Sequence, residues 1–307
     1  MRGLIVNADG YGLSAGITRA IEECVRFGTV RSLSANVNFP HADGLARLVR
    51  EAPELSVGCH INPLVGRPVL APERVPSLID GKGEFFYENF ARRLLAGRLR
   101  RSELRAEMIA QVEKTRALAG AAFSHVDFHM GLHRLPGLYG LFLEVAEKFG
   151  PGRIRTHRYH VGFETAHPRA THLRYLAARP QRLIKMGWNR WLRFRARRRG
   201  LAMPDRWIEI TGWGPRPERI TLENFLTLLG NTPRGFSEFV CHPGYVDEEL
   251  KRWSSYLEPR EREREILLSP VLRDALRGAD VRLCGYRDIP LRGRREPGPI
   301  GALARSR

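Results

Sequence analysis

The stretch His125-Val126-Asp127-Phe128-His129-Met130-Gly131-Leu132-His133 places three imidazoles and one carboxylate within nine residues. It follows a break at Gly120–Ser124 and runs on to Leu135-Pro136, the context of a strand leaving a sheet for a loop. Alternate side chains of a strand share a face, so His125, Asp127 and His129 are expected to point the same way. Imidazole is the commonest protein ligand for metals. A carboxylate beside it can orient the ring or act as a base.

Outward from this stretch, short apolar or β-branched runs alternate with helical patterns. Strands are predicted over 3–7, 32–36, 56–61, 125–128, 153–156, 207–211, 238–241 and 281–284, and helices over 15–27, 42–52, 88–119, 138–149, 222–229 and 261–277. Strand–helix alternation implies parallel strands joined by right-handed crossovers. Seven or eight such units point to an α/β fold, an irregular TIM-like (β/α) barrel; a doubly wound open sheet is the alternative. The strand exits favour the barrel. They carry Asn7 and Asp9, Asn36 and Asn38, His60 and Asn62, Asp127 with His129 and His133, Arg155 and His157, Glu209 and Thr211, and His242. Barrel enzymes assemble their sites at the C-terminal ends of the strands. Residues 1–290 therefore read as one barrel domain with Asp9, His60, Asp127, His129, Arg155 and His242 around one cavity.

Three segments stand outside the alternation. Residues 63–86 are rich in Pro and Gly and read as a loop over the barrel mouth. Residues 291–307 read as a basic, flexible tail. Residues 174–206 hold eleven Lys/Arg and one acid, Asp205, with Leu183, Ile184, Met186, Trp188, Trp191, Leu192 and Phe194 interleaved. This is the pattern of an inserted helical segment lying on an anionic membrane surface, or of a helical hairpin packed on the barrel or on a second subunit, as in a homodimer.

The formal charge is +18 over 307 residues, which favours anionic partners. No zinc-finger spacing or RNP-like motif appears, so nucleic acid is a weak candidate. Cys24, Cys59, Cys241 and Cys284 are far apart and read as buried free thiols of a reducing compartment. The opening run has no signal-peptide pattern and no apolar run reaches membrane-spanning length. The expectation is a cytoplasmic protein, at most peripheral to a membrane.

Two imidazoles from separate strands with one carboxylate make a three-ligand metal site with positions left for water and substrate. Such an ion acidifies water and polarises a carbonyl, while a carboxylate and a further His can move the protons. The implied reaction is hydrolysis of an amide or ester. At this point the sequence resembles the YdjC-like carbohydrate deacetylases. Asn7-Ala8-Asp9, Gly58-Cys59-His60, His125-x-Asp127-x-His129 with His133, and His242-Pro243-Gly244-Tyr245 occur in that family's order and approximate spacing. The resemblance implies an irregular (β/α) barrel that removes an N-acetyl group from an amino sugar or glycoconjugate, lipid-linked or free, with a divalent metal such as Mg or Zn. It implies His60 and His129 as ligands, Asp9 as base, and His242 or His133 as proton donor. Asn62, Asp127, His133 and Arg155 complete the expected set as substrate-binding residues.

One position departs from the family pattern. The family has a second aspartate after the first, a metal ligand, and here that residue is Gly10; the following Phe is Tyr11. Either Asp9 takes up the ligand role, or a water fills the position, or the chain is a catalytically impaired barrel that binds a sugar or a partner.

Overall fold

The computed structural model of the chain describes residues 1–178, 180–208, 210 and 217–291. Among the described residues there are eight parallel strands: β1 (Arg2–Tyr11), β2 (Ser32–Ala35), β3 (Ser56–Ile61), β4 (Phe123–Phe128), β5 (Tyr159–His160), β6 (Arg206–Ile208), β7 (Gly235–Cys241) and β8 (Arg282–Cys284). Their order is β4-β3-β2-β1-β7-β6-β5, with β8 also on β1. A single parallel bridge, Val126 to Ile154, joins β4 to the run that carries β5. That contact closes the sheet into an irregular barrel.

The helices that cover it are α1 (Ala15–Phe27), α2 (Leu45–Glu51), α3 (Phe90–Leu95), α4 (Arg101–Ala119), α5 (Tyr139–Lys148), α6 (Pro168–Ala177), α7 (Gln181–Arg198), α8 (Leu222–Asn231), α9 (Glu248–Trp253), α10 (Glu258–Leu268) and α11 (Pro270–Gly278). Strand alternation divides β1 between two environments. Leu4, Val6 and Ala8 join the main apolar shell, whereas Ile5 packs with Cys284, Tyr286 and Ile289. β8 pairs with Gly3–Ile5, the lower part of β1, and β2 pairs only from Asn7 upward. The segment after β8 then closes the floor. Tyr286 is fully buried and stacks on His125 at 3.6 Å, and Arg287 N–H donates to Ser56 Oγ.

Several expected boundaries change. β1 runs four residues beyond 3–7, because both sides find partner strands, and Asp9 lies within it. The strand expected over 153–156 is reduced to isolated bridges at Arg153 and Ile154, and the ladder forms at Tyr159–His160 instead. β6 begins at Arg206, while Glu209 and Thr211 lie outside the described residues, as does the tail from 292. The helix expected over 88–119 divides at Gly97, where φ is +67°. The one expected over 261–277 divides before Pro270, as the missing N–H of proline requires. All four cysteines are free and buried.

The loop over 63–86 supplies none of the residues that line the cavity at the strand ends, and its start is tied to the exit of β2 by Asn38, whose Nδ2 donates to the Val65 and Arg67 carbonyls. Glu107 on α4 accepts from the Val69 and Leu70 N–H groups and Glu103 from that of Ser77, while Val75, Leu78 and Phe85 are buried. The rest of the loop is clamped to α4. The basic segment forms α6 and α7 outside the barrel, with Trp188 and Trp191 stacked at 4.8 Å. No described helix is long and apolar enough to cross a membrane.

Candidate active site

Gly10 creates the first feature of the site. With φ at +109° it forms a bulge between Asp9 and Tyr11, and bulges re-aim neighbouring side chains. Asp9 faces the interior, where both its oxygens are held by Arg155, Nη1 to Oδ2 at 2.7 Å and Nη2 to Oδ1 at 2.6 Å. Arg155 also meets Asp127 Oδ2 at 2.7 Å and Glu238 Oε1 at 2.9 Å. One guanidinium thus faces three buried carboxylates, an arrangement held together by charge-assisted bonds. Asn7 Nδ2 donates to Asp9 and to Ser34 Oγ, and Ser34 donates to Asp127.

Above this layer lie the histidines. Asp127 Oδ1 is 2.7 Å from His60 Nδ1, which fixes the ring with its proton on Nδ1 and leaves the Nε2 lone pair toward the cavity. His60 Nε2 lies 3.2 Å from His129 Nδ1. Two nitrogens each about 2.0–2.1 Å from one ion would be separated by about this distance. Asp9, His60 and Asp127 also bring ligand atoms within 4.8 Å of one another, so this buried group could hold a metal ion. Of the two carboxylates, Asp9 opens on the cavity and Asp127 stands behind His60.

The electrostatics agree with a cation at this point. Burial alone would lower the His60 pKa, but Asp127 and Asp9 outweigh it and raise it. Burial alone would raise Asp9, and Arg155 and His60 more than reverse that, holding its carboxyl far below the ordinary range. Burial pushes His129 down to about 3 and His242 to about 4. Both are neutral at pH 7, with lone pairs to offer. The donor set therefore fits a divalent ion with one carboxylate missing at position 10.

The cavity has a volume of about 370 Å³ and is lined by Asp9, Gly10, His60, His129, His133, Arg155 and His242, with Trp207, Tyr256 and Arg260 among the walls. Met130, on its rim, holds φ at +54°, an uncommon state for a side chain of this kind. His133 is buried beside Phe142 and His157, and neither ring nitrogen has a partner among the described residues.

Two expected substrate-binding residues do not reach the cavity. Asn62 is fully buried and ties the loop after β3: its Oδ1 accepts from Leu64 and Val65 N–H, and its Nδ2 donates to Asn36. Asp127 is fully buried beneath His60. His125, expected to share their face, is also inside but below the site, between Ser34 and Ser124.

Sequence reading missed Arg260 and Glu263. Both lie in Glu258-Pro259-Arg260-Glu261-Arg262-Glu263-Arg264, a run that looks like a solvated helix face. α10 instead buries both. Glu263 accepts from His242 N–H and from Tyr256 OH, each at 2.5 Å. Arg260 Nη1 lies 3.9 Å from where a side-chain carbon at position 10 would stand.

The YdjC-like protein family model matches residues 3–278. The chain belongs to the YdjC-like family. A carbohydrate deacetylase of Thermoanaerobacter pseudethanolicus is 29% identical over 93% of this chain and 98% of its own length. A chitooligosaccharide deacetylase of Yersinia enterocolitica is 33% identical, with the same coverage. A solved structure from Enterococcus faecalis V583, named for cellobiose-phosphate cleavage, superposes with a TM-score of 0.68 at 25% identity, covering 93% of this YdjC-like chain and 97% of that one.

Proposed function

We propose that this YdjC-like protein is a metal-dependent carbohydrate deacetylase that hydrolyses an N-acetyl group on an amino sugar or glycoconjugate. The observation that carries the reading is the stack of Asp9–Arg155 beneath the facing nitrogens of His60 and His129. It supports reading Asp9 as an ionised base beside a cation site on one cavity wall. His60 and His129 are the residues that would hold a divalent ion such as Mg or Zn; when bound, the ion polarises the acyl carbonyl and acidifies water. Arg155 holds Asp9 ionised, and Asp9 is the carboxylate on the cavity wall to which the proton of the attacking water would pass. His242 faces the same cavity, and a proton placed on so weakly basic an imidazole is readily given to a departing amine. His133 and Trp207 offer walls for the sugar.

Gly10 favours a second reading, a barrel that binds a sugar or a partner without turning it over. Metal analysis of the purified protein with acetate release from a panel of N-acetylated glycans separates the two. The deacetylase reading expects acetate release that chelation abolishes, with Asp9→Asn at least about a hundredfold slower and His60→Ala or His129→Ala losing the ion. A protein that holds one ion tightly and keeps it in both histidine variants would refute the ligand assignment. The exposed apolar residues of α7, among them Ile184 and Phe194, alternate with its arginines. They suit contact with an anionic membrane, where a lipid-linked substrate would reside.

A further inference from the structure

A second cavity, of about 1230 Å³, lies against the first and shares Arg134, His157 and Trp207 with it. It is formed between α6, α7 and the run leading into β5. Its described lining is divided in character. Seven Lys/Arg face it with one carboxylate, Asp205. Leu176, Leu183, Met186, Trp191 and Phe194 supply an apolar wall, most of it exposed. Such a wall needs an apolar occupant, and the cationic cluster needs an anion.

One buried group marks where the anion would sit. Arg193 is 9% exposed, and its Nε has no partner among the described residues. Its Nη1 donates to the Asp205 carbonyl, and its Nη2 is 3.8 Å from the Asp205 carboxylate. Buried polar atoms without partners are costly unless a ligand or water meets them. Burial, together with Arg197 and Arg158, depresses Arg193 to about 10, which reports the same uncompensated positive field. Guanidinium groups recognise phosphate through paired N–H donors.

We propose that this second cavity binds the phosphate and aliphatic portion of an anionic amphiphile whose sugar enters the barrel cavity. The sugar half rests on the deacetylase reading above; the amphiphile half does not, and can be tested without turnover. Trp191 and Trp207 line the cavity and report on its occupation by fluorescence.

The probes are dodecyl phosphate below its micelle concentration, dodecyl maltoside as a neutral amphiphile with the same chain, inorganic phosphate, and vesicles with and without anionic lipid. Saturable binding of dodecyl phosphate is expected, at least tenfold tighter than dodecyl maltoside and at least tenfold tighter than inorganic phosphate. Arg193→Gln should weaken it about tenfold. The exposed pair Arg158→Glu/Arg197→Glu should do the same and guards against a misfolded single variant. Equal affinity for the neutral amphiphile, equal affinity for inorganic phosphate, indifference to both variants, or binding to anionic vesicles with none to monomeric dodecyl phosphate would each overturn the proposal. Absence of acetate release beside intact dodecyl phosphate binding would instead count against the deacetylase reading.

Discussion

Gly10 is the residue on which the chemistry turns. Restoring a carboxylate there with Gly10→Asp meets no clash, since an added Cβ would make only ordinary contacts with Ile17 Cγ2 at 3.6 Å and Arg260 Nη1 at 3.9 Å. The backbone resists, because φ is +109°, and a side chain so placed costs about 1–3 kcal/mol. Gly10→Asp is thus expected to bind zinc or magnesium more tightly by calorimetry while melting at a lower temperature. Arg260 would compete with the ion for the new carboxylate. Glu238 gives a second test. Burial raises its pKa to about 7 in spite of Arg155, against about 4.3 in the unfolded chain. Folding therefore takes up a proton between these values. The Glu238 contribution is fully present below about pH 4.3 and is lost as pH rises to about 7, at up to about 1.4 kcal/mol per pH unit. In urea unfolding from pH 5 to 8, wild type should lose stability relative to Glu238→Gln up to about pH 7, and the gap should then stay constant. Parallel curves throughout would show that Glu238 is already ionised.

At the scale of elements, β3 and β4 are fitted to each other through a missing side chain. A Cβ at Gly58 would stand 2.2 Å from His125 Nε2, so the ring occupies the space that glycine leaves. Overpacking of this kind costs about 1–3 kcal/mol or more. Gly58→Ala should show that loss in denaturant melts, and in a His125→Ala background the same change should cost less than about 1 kcal/mol, the non-additivity expected of touching residues. The pair also shows what a sequence makes legible. His60, His129, Asp9, Arg155 and His242 could be read as neighbours because strand exits share one end of a barrel. Asn62 and Asp127 occupy the same kind of position, yet their side chains are claimed by Asn36 and by His60. Such claims depend on residues distant in the chain. Arg260 and Glu263 were hidden for the opposite reason. Alternating charges on a helix carry no sign of which face will be buried. The loop over 63–86 has the composition of a cover, but its direction is set by Glu103 and Glu107 on α4.

For the whole molecule, the barrel's floor is supplied by the segment that comes last. Ending the chain at Ala279 removes β8 and, beyond it, Tyr286 and Ile289. Large buried side chains contribute about 1.5–3 kcal/mol each, a sizeable share of the roughly 5–15 kcal/mol of a typical domain. The shortened protein should lose its cooperative guanidinium transition and its near-ultraviolet circular dichroism. A sharp transition at an unchanged midpoint would show the floor to be dispensable. The pairing of β1 with β7 and β8 also has a consequence for synthesis. β1 is made first, yet two of its three partner strands lie more than 230 residues later in the chain. While the polypeptide is still emerging from the ribosome, Leu4, Ile5 and Val6 are left without those neighbours, so the nascent chain must be kept from aggregating, by chaperones or by its own charge, until β7 and β8 have been made.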